Sequence, residues 1–485
     1  MELPTTASAE RTARAARPDA ELVSIFDAQR EAFRKNPYPP YAERIELLKA
    51  LEAMLKRHRR NAEEALASDF RTHPPQLTAL CELMGPIERA RFARAHLKAW
   101  MRPQPRPASL TLYGLSKTYV MYQPKGVVGN LSPWNFPIDI SVGPLADILA
   151  AGNRAILKPS ELAPASAELV KEMVSHTFDR DRAAVVTGGV ELARAFAAMP
   201  WDHLLYTGGP SVAKLVMRAA AENLTPVTLE LGGKCPAILA PDSVDAATAA
   251  NVLAAKFIKN GQMCVNVDYV LVPADRRDAF VSLANDAVAR MLPSYATNPQ
   301  STGIIDDRNL DRLLSYLDDA TKKGARVVPL GGGDVSVHRA ERKMPLSLVL
   351  DPRDDMEVMR NEIFGPILPV VTYRSIEEAI EYVNARPRPL ALYVYTKDAA
   401  RADDVLRRTI SGGACVNAAA IHATVPSLPF GGIGNSGMGR HHGFEGFLTF
   451  SHEKAVFRSG LGYVPSIVYP PYGKKLDRVL SWLLR

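Results

Sequence analysis

Between residues 126 and 239, segments typical of buried strands alternate with amphipathic helical patterns. The strand candidates are short and aliphatic, and they lie at 126–131, 154–158, 184–187, 203–207 and 227–231. Helical patterns such as 165–176 and 211–222 separate them. Strands joined through helices need crossover connections, which place them parallel in one sheet with helices on both faces. A second alternating region runs from about 240 to 410. The pattern therefore predicts an α/β fold with two sheet-centred regions.

The first quarter of the chain follows a different pattern. Residues 1–18 are predicted to be a flexible tail, and helical patterns dominate from about 20 to 101. The Pro-rich segment 102–107 breaks these helices, and 108–114 and 117–124 then alternate like two strands. We expect a small projecting β-hairpin. Because a lone two-stranded hairpin is marginally stable, we expect its edge to pair with a neighbouring subunit.

Composition excludes several classes of protein. At 485 residues the chain is too long for one core, and its 47% apolar and 23% charged residues are those of an ordinary globular protein. The net charge of +7 is small for this length and the basic residues are dispersed, so no nucleic-acid partner is expected. Four cysteines lie far apart without a CxxC pair, which argues against a zinc site or a disulfide framework.

The ends of the chain bear on its location. The first twenty residues contain no apolar core of a secretory signal, and no apolar stretch approaches the ~20 residues that span a bilayer. With the cysteine usage, this predicts a cytoplasmic protein. Residues 476–484 amount to about two and a half helical turns. They are predicted to be a docked helix rather than a membrane segment, with weak surface association left open.

Two polar residues stand where chemistry is plausible. Glu230 lies inside an apolar strand candidate, where an unpaired carboxylate would have the raised pKa of a general base. Its alternative is an exposed face of that strand. Asn135 lies between Pro133 and Pro137, which would hold its side-chain amide in place to stabilise an oxyanion. Its alternative is an ordinary Asn–Pro turn.

Two further strand ends are candidates for binding a nucleotide. Lys158 and Glu161 follow the strand at 154–158, at the sheet edge where open α/β sheets bind ligands. A carboxylate there binds ribose hydroxyls and repels a 2′-phosphate, which favours NAD over NADP. A surface ion pair is the alternative. Gly208 and Gly209 join a strand to a helix, where helix amides meet a diphosphate, although the segment is not GxGxxG.

Cys264 stands at the junction between a helical pattern ended by Asn260–Gly261 and a strand-like run at 265–272. Cysteine is often a small buried hydrophobe, and it is also a nucleophile. Its own neighbours leave both readings open.

Seven motifs occur together in one order along the chain. They are PWNFP (133–137), KPSE (158–161), YTGG (206–209), LELGGK (229–234), GQMC (261–264), NEIFGP (361–366) and PFGGIGNSGMG (429–439). In this order the chain resembles the aldehyde dehydrogenase superfamily from about residue 20 onward. The segments 96–103, 386–394, 435–443 and 447–452 resemble its class 3 branch, which includes coniferyl aldehyde dehydrogenases.

The resemblance implies catalytic roles. Cys264 would be the thiolate that attacks an aldehyde, and Asn135 with the Cys264 backbone N–H would stabilise the oxyanion. Glu230 would activate the water that hydrolyses the resulting thioester.

The resemblance also implies a cofactor site for NAD, with NADP possible. Lys158 and Glu161 would hold the adenosine ribose, while Gly208 and Gly209 would border the diphosphate. Many members carry a serine where Gly209 stands, so one diphosphate contact would be lost here. The nicotinamide end would be bound by Trp134, Glu362 and Phe364.

The resemblance implies NAD(P)-dependent oxidation of an apolar or aromatic aldehyde, with coniferyl aldehyde as one candidate, to the carboxylate. Acyl transfer to coenzyme A and a catalytically silent binding protein are the alternatives. The implied fold is a Rossmann-type NAD-binding domain (19–104 and 124–231) with a second α/β catalytic domain (232–425). Segments 105–123 and 445–485 would serve oligomerisation, with a homodimer expected.

Overall fold

Two mostly parallel sheets organise the chain in the computed structural model, which describes residues 19–295, 297–332, 336–463 and 469–484. The tail expected over 1–18 lies outside these residues. The strands, in chain order, are β1 (Gln104–Pro105), β2 (Lys117–Pro124), β3 (Val127–Leu131), β4 (Arg154–Lys158), β5 (Ala183–Val185), β6 (His203–Gly208), β7 (Val227–Leu231), β8 (Pro236–Leu239), β9 (Tyr269–Pro273), β10 (Arg326–Pro329), β11 (Ser347–Leu350), β12 (Ile367–Tyr373), β13 (Ala391–Tyr395), β14 (Gly413–Val416), β15 (Gly437–Met438) and β16 (Ser451–Arg458).

Helices cover both faces of these sheets. They are α1 (Ala20–Lys35), α2 (Tyr41–Arg57), α3 (Arg59–Phe70), α4 (Pro75–Leu77), α5 (Met84–Trp100), α6 (Leu110–Tyr113), α7 (Asp139–Ala151), α8 (Pro164–Ser175), α9 (Val190–Ala197), α10 (Pro210–Ala221), α11 (Ala246–Phe257), α12 (Arg277–Met291), α13 (Asp307–Lys322), α14 (Glu357–Arg360), α15 (Ile376–Asn384), α16 (Ala399–Arg408), α17 (Gly443–Thr449) and α18 (Lys474–Leu483).

The first sheet has the order β15-β7-β6-β3-β4-β5 and is parallel except at β15. The five strands expected between 126 and 239 are all present in it, within a few residues of the predicted bounds. The chain runs outward from β3 through β4 to β5, then returns to place β6 on the other side of β3. This is the Rossmann-type order, and it opens a crevice at the carboxyl ends of β3 and β6.

Burial on both faces explains the strand composition. Every residue of β3 and β4 is buried, because helices cover both sides of a parallel sheet. On one face, Leu145 and Leu149 of α7 join Leu48 and Leu51 of α2 in one apolar cluster. The opposite face packs a second cluster that includes Phe26, Phe196 and Trp201.

The second sheet has the order β10-β11-β12-β9-β8-β13-β14, with only β10 antiparallel to its neighbour. It confirms the alternating region expected from about 240 to 410. The prediction of a strand-like run at 265–272 is wrong at its start, because β9 begins only at Tyr269.

The predicted two-stranded hairpin is wrong. Residues 110–113 form helix α6, capped by Ser109 and ended by Gly114 with φ +55°. Strand β2 instead pairs along its length with β16 and, at one end, with the short β1, which makes a three-stranded antiparallel sheet. The partner comes from more than 300 residues away, and alternation within β2 could not identify it.

The C-terminal helix α18 was expected to be docked. None of its side chains is buried, and Trp482 is 65% exposed. Among the described residues, no helix combines the length and the apolar character needed to cross a membrane.

Candidate active site

A cavity of about 730 Å³ opens at the carboxyl ends of β3, β6 and β7. This is the crevice that the strand order predicts. Eight of the ten residues singled out from the sequence line it, namely Trp134, Asn135, Gly208, Gly209, Glu230, Cys264, Glu362 and Phe364. Lys158 and Glu161 are not among its lining residues.

The loop before Cys264 is an unusual piece of backbone. Lys259, Asn260 and Gly261 have φ of +52°, +56° and +76°, three left-handed residues in succession. Gly261 also lies against the Gly365 carbonyl, leaving no room for a Cβ atom. The loop turns the chain sharply after α11 and leaves Cys264 partly exposed at the cavity.

Burial raises the pKa of the Cys264 thiol to about 12, and the nearby carboxylates of Glu362 and Glu230 raise it further. The thiol is therefore protonated at neutral pH in this arrangement. Attack on a carbonyl requires that its proton be taken by a base or that positive charge be brought close to the sulfur.

Asn135 is buried and its Nδ2 donates a hydrogen bond to the Gln262 carbonyl at 3.1 Å. The amide is thus held against the loop that carries Cys264, two residues before the sulfur. A side-chain amide nitrogen carries two hydrogens, so one remains to donate to an oxyanion. The prolines on either side suggested a fixed amide, and the contact with Gln262 shows what it is fixed to.

Glu230 is 2% exposed on β7, which rules out the alternative of an exposed strand face. Neither of its carboxylate oxygens has a hydrogen-bond partner among the described residues. Burial therefore raises the pKa of Glu230 well above its ordinary value. The nearest ionisable partner is His441, whose Nε2 lies 4.0 Å from Glu230 Oε1.

Glu362 has the features of a ligand-binding carboxylate. Its Oε1 is buried and has no partner among the described residues. Burial and the nearby charge of Asp268 raise its pKa to about 8. Its carboxyl group occupies the space where Gly232 would carry a Cβ, so glycine is required there. An unpaired, cavity-lining acceptor of this kind fits the hydroxyl groups of a ribose.

Apolar and backbone groups complete a site that fits a dinucleotide. Trp134 and Phe364 meet edge to face with ring centroids 5.3 Å apart. Gly209 precedes α10, whose first-turn amides face the cavity beside Ser211. No other atom lies within 4 Å of the position that a Cβ of Gly209 would take, so a bulky anionic group can approach the backbone.

Lys158 and Glu161 lie one strand further along the same sheet edge. Lys158 Nζ donates to Glu161 Oε2 at 2.9 Å. The lysine is 1% exposed and the glutamate side chain 40%, so the alternative of a pair wholly on the surface does not hold. Lys158 aligns with Leu131 of β3, just before the segment that carries Trp134 and Asn135.

A buried ion pair that sequence reasoning missed supports this site. Lys259 Nζ donates to Glu82, and both side chains are fully buried. Glu82 also accepts the backbone N–H groups of Ile138 and Asp139 at 2.9 and 3.0 Å. In sequence, Lys259 is indistinguishable from a surface lysine near a helix end.

The Lys259 ammonium also lies over two aromatic rings, 4.6 Å from the centroid of Phe70 and 5.0 Å from that of Phe136. Phe136 directly follows Asn135. The pair therefore ties the loop that carries Cys264 to the segment that carries Asn135.

Comparison with known proteins adds to this geometry. The family model described as "Aldehyde dehydrogenase family" matches residues 4–456. A "Probable coniferyl aldehyde dehydrogenase" of Caulobacter vibrioides is 45% identical over 469 residues, which cover 95% of this chain and 96% of that protein. "Aldehyde dehydrogenase family 3 member B2" of Mus musculus is 36% identical over 467 residues, covering 94% and 93%.

A solved structure that is also named an aldehyde dehydrogenase is similar to this chain over most of its length. The Mycobacterium tuberculosis aldehyde dehydrogenase complexed with NAD+ superposes with a TM-score of 0.81 at 30% identity, over 92% of this chain and 91% of that one.

We predict that Lys259→Met lowers the free energy of unfolding by about 3–5 kcal/mol, because Glu82 is left as an uncompensated buried charge. Urea denaturation followed by circular dichroism measures this. Lys259→Met with Glu82→Gln should recover part of the loss. The matched control is Lys49→Met, which breaks an exposed pair with Glu46 and should cost less than about 1 kcal/mol. Equal losses for the buried and exposed lysines would contradict the prediction.

Proposed function

The chain belongs to the aldehyde dehydrogenase family, and from this premise we propose that it oxidises an aromatic aldehyde to its carboxylate through a Cys264 thioester. Oxidation of an aldehyde with a nicotinamide cofactor follows from the family. The observation that supports the residue roles is the meeting of Cys264, Asn135 and Glu230 at one cavity.

Cys264 attacks first. Its sulfur forms a bond to the aldehyde carbon, the thiol proton is released to solvent water, and the carbonyl electron pair moves onto oxygen. The free hydrogen of Asn135 Nδ2 and the Cys264 backbone N–H hold that oxygen, an arrangement worth on the order of 3 kcal/mol per donor in other enzymes. When bound, an oxidised nicotinamide supplies a hydride acceptor, which leaves the acyl group as a thioester on Cys264.

Glu230 then acts in hydrolysis. With its carboxylate ionised, it takes a proton from water while the water oxygen bonds to the acyl carbon. The C–S bond breaks, the proton held by Glu230 passes to the departing sulfur, the carboxylic acid departs, and the Cys264 thiol and the Glu230 carboxylate are regenerated. Because this base is present, we propose that water rather than coenzyme A receives the acyl group.

Residues around the cavity would hold the cofactor. Glu362 would accept from the ribose next to the nicotinamide, with Trp134 and Phe364 packing against that end. The backbone at Gly208 and Gly209 would border the diphosphate. Lys158 and Glu161 would meet the adenosine ribose at the end of β4, with the Glu161 carboxylate favouring NAD over NADP.

The substrate proposal is supported by the Caulobacter vibrioides relative, named a probable coniferyl aldehyde dehydrogenase, at 45% identity. Aromatic side chains also line the cavity, since Trp134 and Phe364 are among its lining residues together with Cys264. Coniferyl aldehyde is the specific candidate.

We predict that kcat/KM for coniferyl aldehyde and benzaldehyde exceeds that for acetaldehyde by about 10- to 100-fold, because burying an aromatic ring is worth about 1.5–3 kcal/mol. NADH absorbance measures the rates, and product analysis with added coenzyme A should show the free acid only. Cys264→Ala should abolish turnover while NADH still binds, as followed by its fluorescence. Acetaldehyde as the preferred substrate would contradict the substrate proposal, and turnover by Cys264→Ala would contradict the role of the cysteine.

For the cofactor, we predict that Glu161→Gln raises kcat/KM with NADP by about tenfold and has a smaller effect on kcat/KM with NAD. The substitution removes the negative charge that repels the 2′-phosphate of NADP, and it releases Lys158 from its ion pair with Glu161. Glu168→Gln, an exposed carboxylate on the neighbouring helix α8, is the matched control. An unchanged NADP/NAD ratio would show that Glu161 does not select the cofactor.

We also propose that the chain is a cytoplasmic homodimer, divided into the domains expected from the sequence. The four cysteines are free, which fits a reducing compartment. Exposed apolar side chains surround the three-stranded sheet, including Leu110, Leu115, Phe457 and Leu461. Strand β16 also has an edge that no other described strand pairs with.

For the dimer, we predict that Leu110→Glu with Leu461→Glu converts it to a monomer at micromolar concentration, because two charges would be buried in the interface. Sedimentation velocity measures the mass. Leu224→Glu, which replaces an apolar residue that is 89% exposed elsewhere on the surface, should leave the dimer intact. A monomeric unmodified protein would contradict the proposal.

A further inference from the structure

Glu230 has a histidine beside it that the mechanism above does not use. Strand β7 pairs antiparallel with the short β15, with Gly437 opposite Glu230. The chain continues from β15 to His441, which is 6% exposed. Its Nε2 lies 4.0 Å from Glu230 Oε1, and its Nδ1 has no partner among the described residues.

The backbone holds His441 in this position. Its N–H donates to the Phe430 carbonyl at 2.8 Å, and the Phe430 N–H donates back at 2.9 Å. The ring meets Phe430 and His442 edge to face, with centroids 5.7 and 4.4 Å away. His441 does not line the cavity, so it approaches Glu230 from the protein side.

An unsatisfied buried carboxylate therefore lies beside a ring nitrogen of His441. Both oxygens of Glu230 lack partners among the described residues, and buried polar groups without partners are costly. A relative shift of roughly 1 Å brings the 4.0 Å separation into hydrogen-bond range.

We propose that His441 is a positioning residue for Glu230, donating Nε2–H to its carboxylate and holding it ionised and aimed at the thioester. This rests on the proposed function, in which Glu230 is the base of hydrolysis. The atoms of that step are unchanged, because the water proton still goes to Glu230 and the water oxygen to the acyl carbon. A hydrogen bond to an ionised acceptor is stronger than one to a neutral acceptor, so His441 favours the form of Glu230 that activates water.

The charges around the pair are consistent with a neutral donor. Burial and the positive charge of Arg89 lower the pKa of His441 to about 3, and the same causes act on His442. Cys264 lines the same cavity as Glu230. The imidazole is therefore neutral at physiological pH and donates a hydrogen bond without carrying the proton away.

The test measures hydrolysis of the thioester directly. The activated ester 4-nitrophenyl acetate is used to acetylate Cys264 without a cofactor, and the excess reagent is then removed. Samples are quenched with acid at intervals. The intact mass of the protein shows how fast the acetyl group is lost. The variants are His441→Phe, His441→Gln and Glu230→Gln, with His452→Phe on the exposed β16 as the control. Thermal melting and NADH binding check that each variant is folded.

We expect His441→Phe to slow deacylation by about 10- to 100-fold, the range for losing one hydrogen bond to an ionised group, and to leave the rate of acylation within about threefold. Deacylation by this variant should also require a higher pH, because the pKa of Glu230 is higher without the hydrogen bond from His441. His441→Gln, whose amide can donate, should restore most of the rate and of the pH profile. It also serves as the readout if the Phe variant does not fold. Deacylation by Glu230→Gln should be slower than deacylation by either His441 variant.

Deacylation at the unmodified rate in His441→Phe, with Glu230→Gln slow, would overturn the role of His441 alone. Normal deacylation in Glu230→Gln would overturn the proposed role of Glu230. Equal losses of acylation and deacylation in His441→Phe, or no recovery in His441→Gln, would show a structural effect only and would also overturn the inference.

Discussion

The buried contact between Lys259 and Glu82 is the interaction on which the site depends. Removing two charges from water costs several kcal/mol per ion, and this cost is offset only while every partner stays in place. Glu82 has such partners in two backbone N–H groups at the start of α7, which donate hydrogen bonds to it. Lys259 has them in two aromatic rings, over whose faces its ammonium group lies. This one pair thus fixes the relative positions of the N-terminal helices, the segment that carries Asn135 and the loop that carries Cys264.

A second buried pair lies next to it. Arg89 of α5 binds Asp139, the residue whose amide Glu82 accepts. Gly143 leaves room for the guanidinium, since a Cβ there would lie 2.6 Å from its central carbon. Burial and the positive charge of Arg89 together lower the pKa of His441, which lies beside Glu230. The surroundings of Cys264 and of Glu230 are therefore supported by neighbouring parts of one buried polar network.

The chemistry is shaped by carboxylates that are not neutralised. Glu230 and Glu362 are both buried with an unpaired oxygen, and both raise the pKa of Cys264. Together with burial, this field raises the pKa of the Cys264 thiol, and a positive charge or a base must offset the field before attack.

Much of this could be predicted from the sequence, because the informative signals are local. Strands β3 to β7 follow from runs of apolar residues between helical patterns, and the cavity lies at the strand ends where the order reverses. The motifs singled out eight residues that the structure brings together at one cavity. Lys158 and Glu161 were expected at the same sheet edge, and they lie there paired with each other rather than lining the cavity. The prediction of a hairpin failed because the alternation of apolar and polar residues over 117–124 indicates a strand without identifying the strand that it pairs with.

The sequence by itself determined the periodicities of the two mostly parallel sheets, the break at Asn260–Gly261 before Cys264 and the candidate reactive groups. Each of these depends on neighbours within a few residues. Only the tertiary structure decided which distant groups meet: β2 with β16, Lys259 with Glu82, and His441 with Glu230. Those contacts join segments separated by 177 residues or more. Such pairings are selected by packing and by the cost of burying unpaired charge, and neither has a signature in a local stretch of chain.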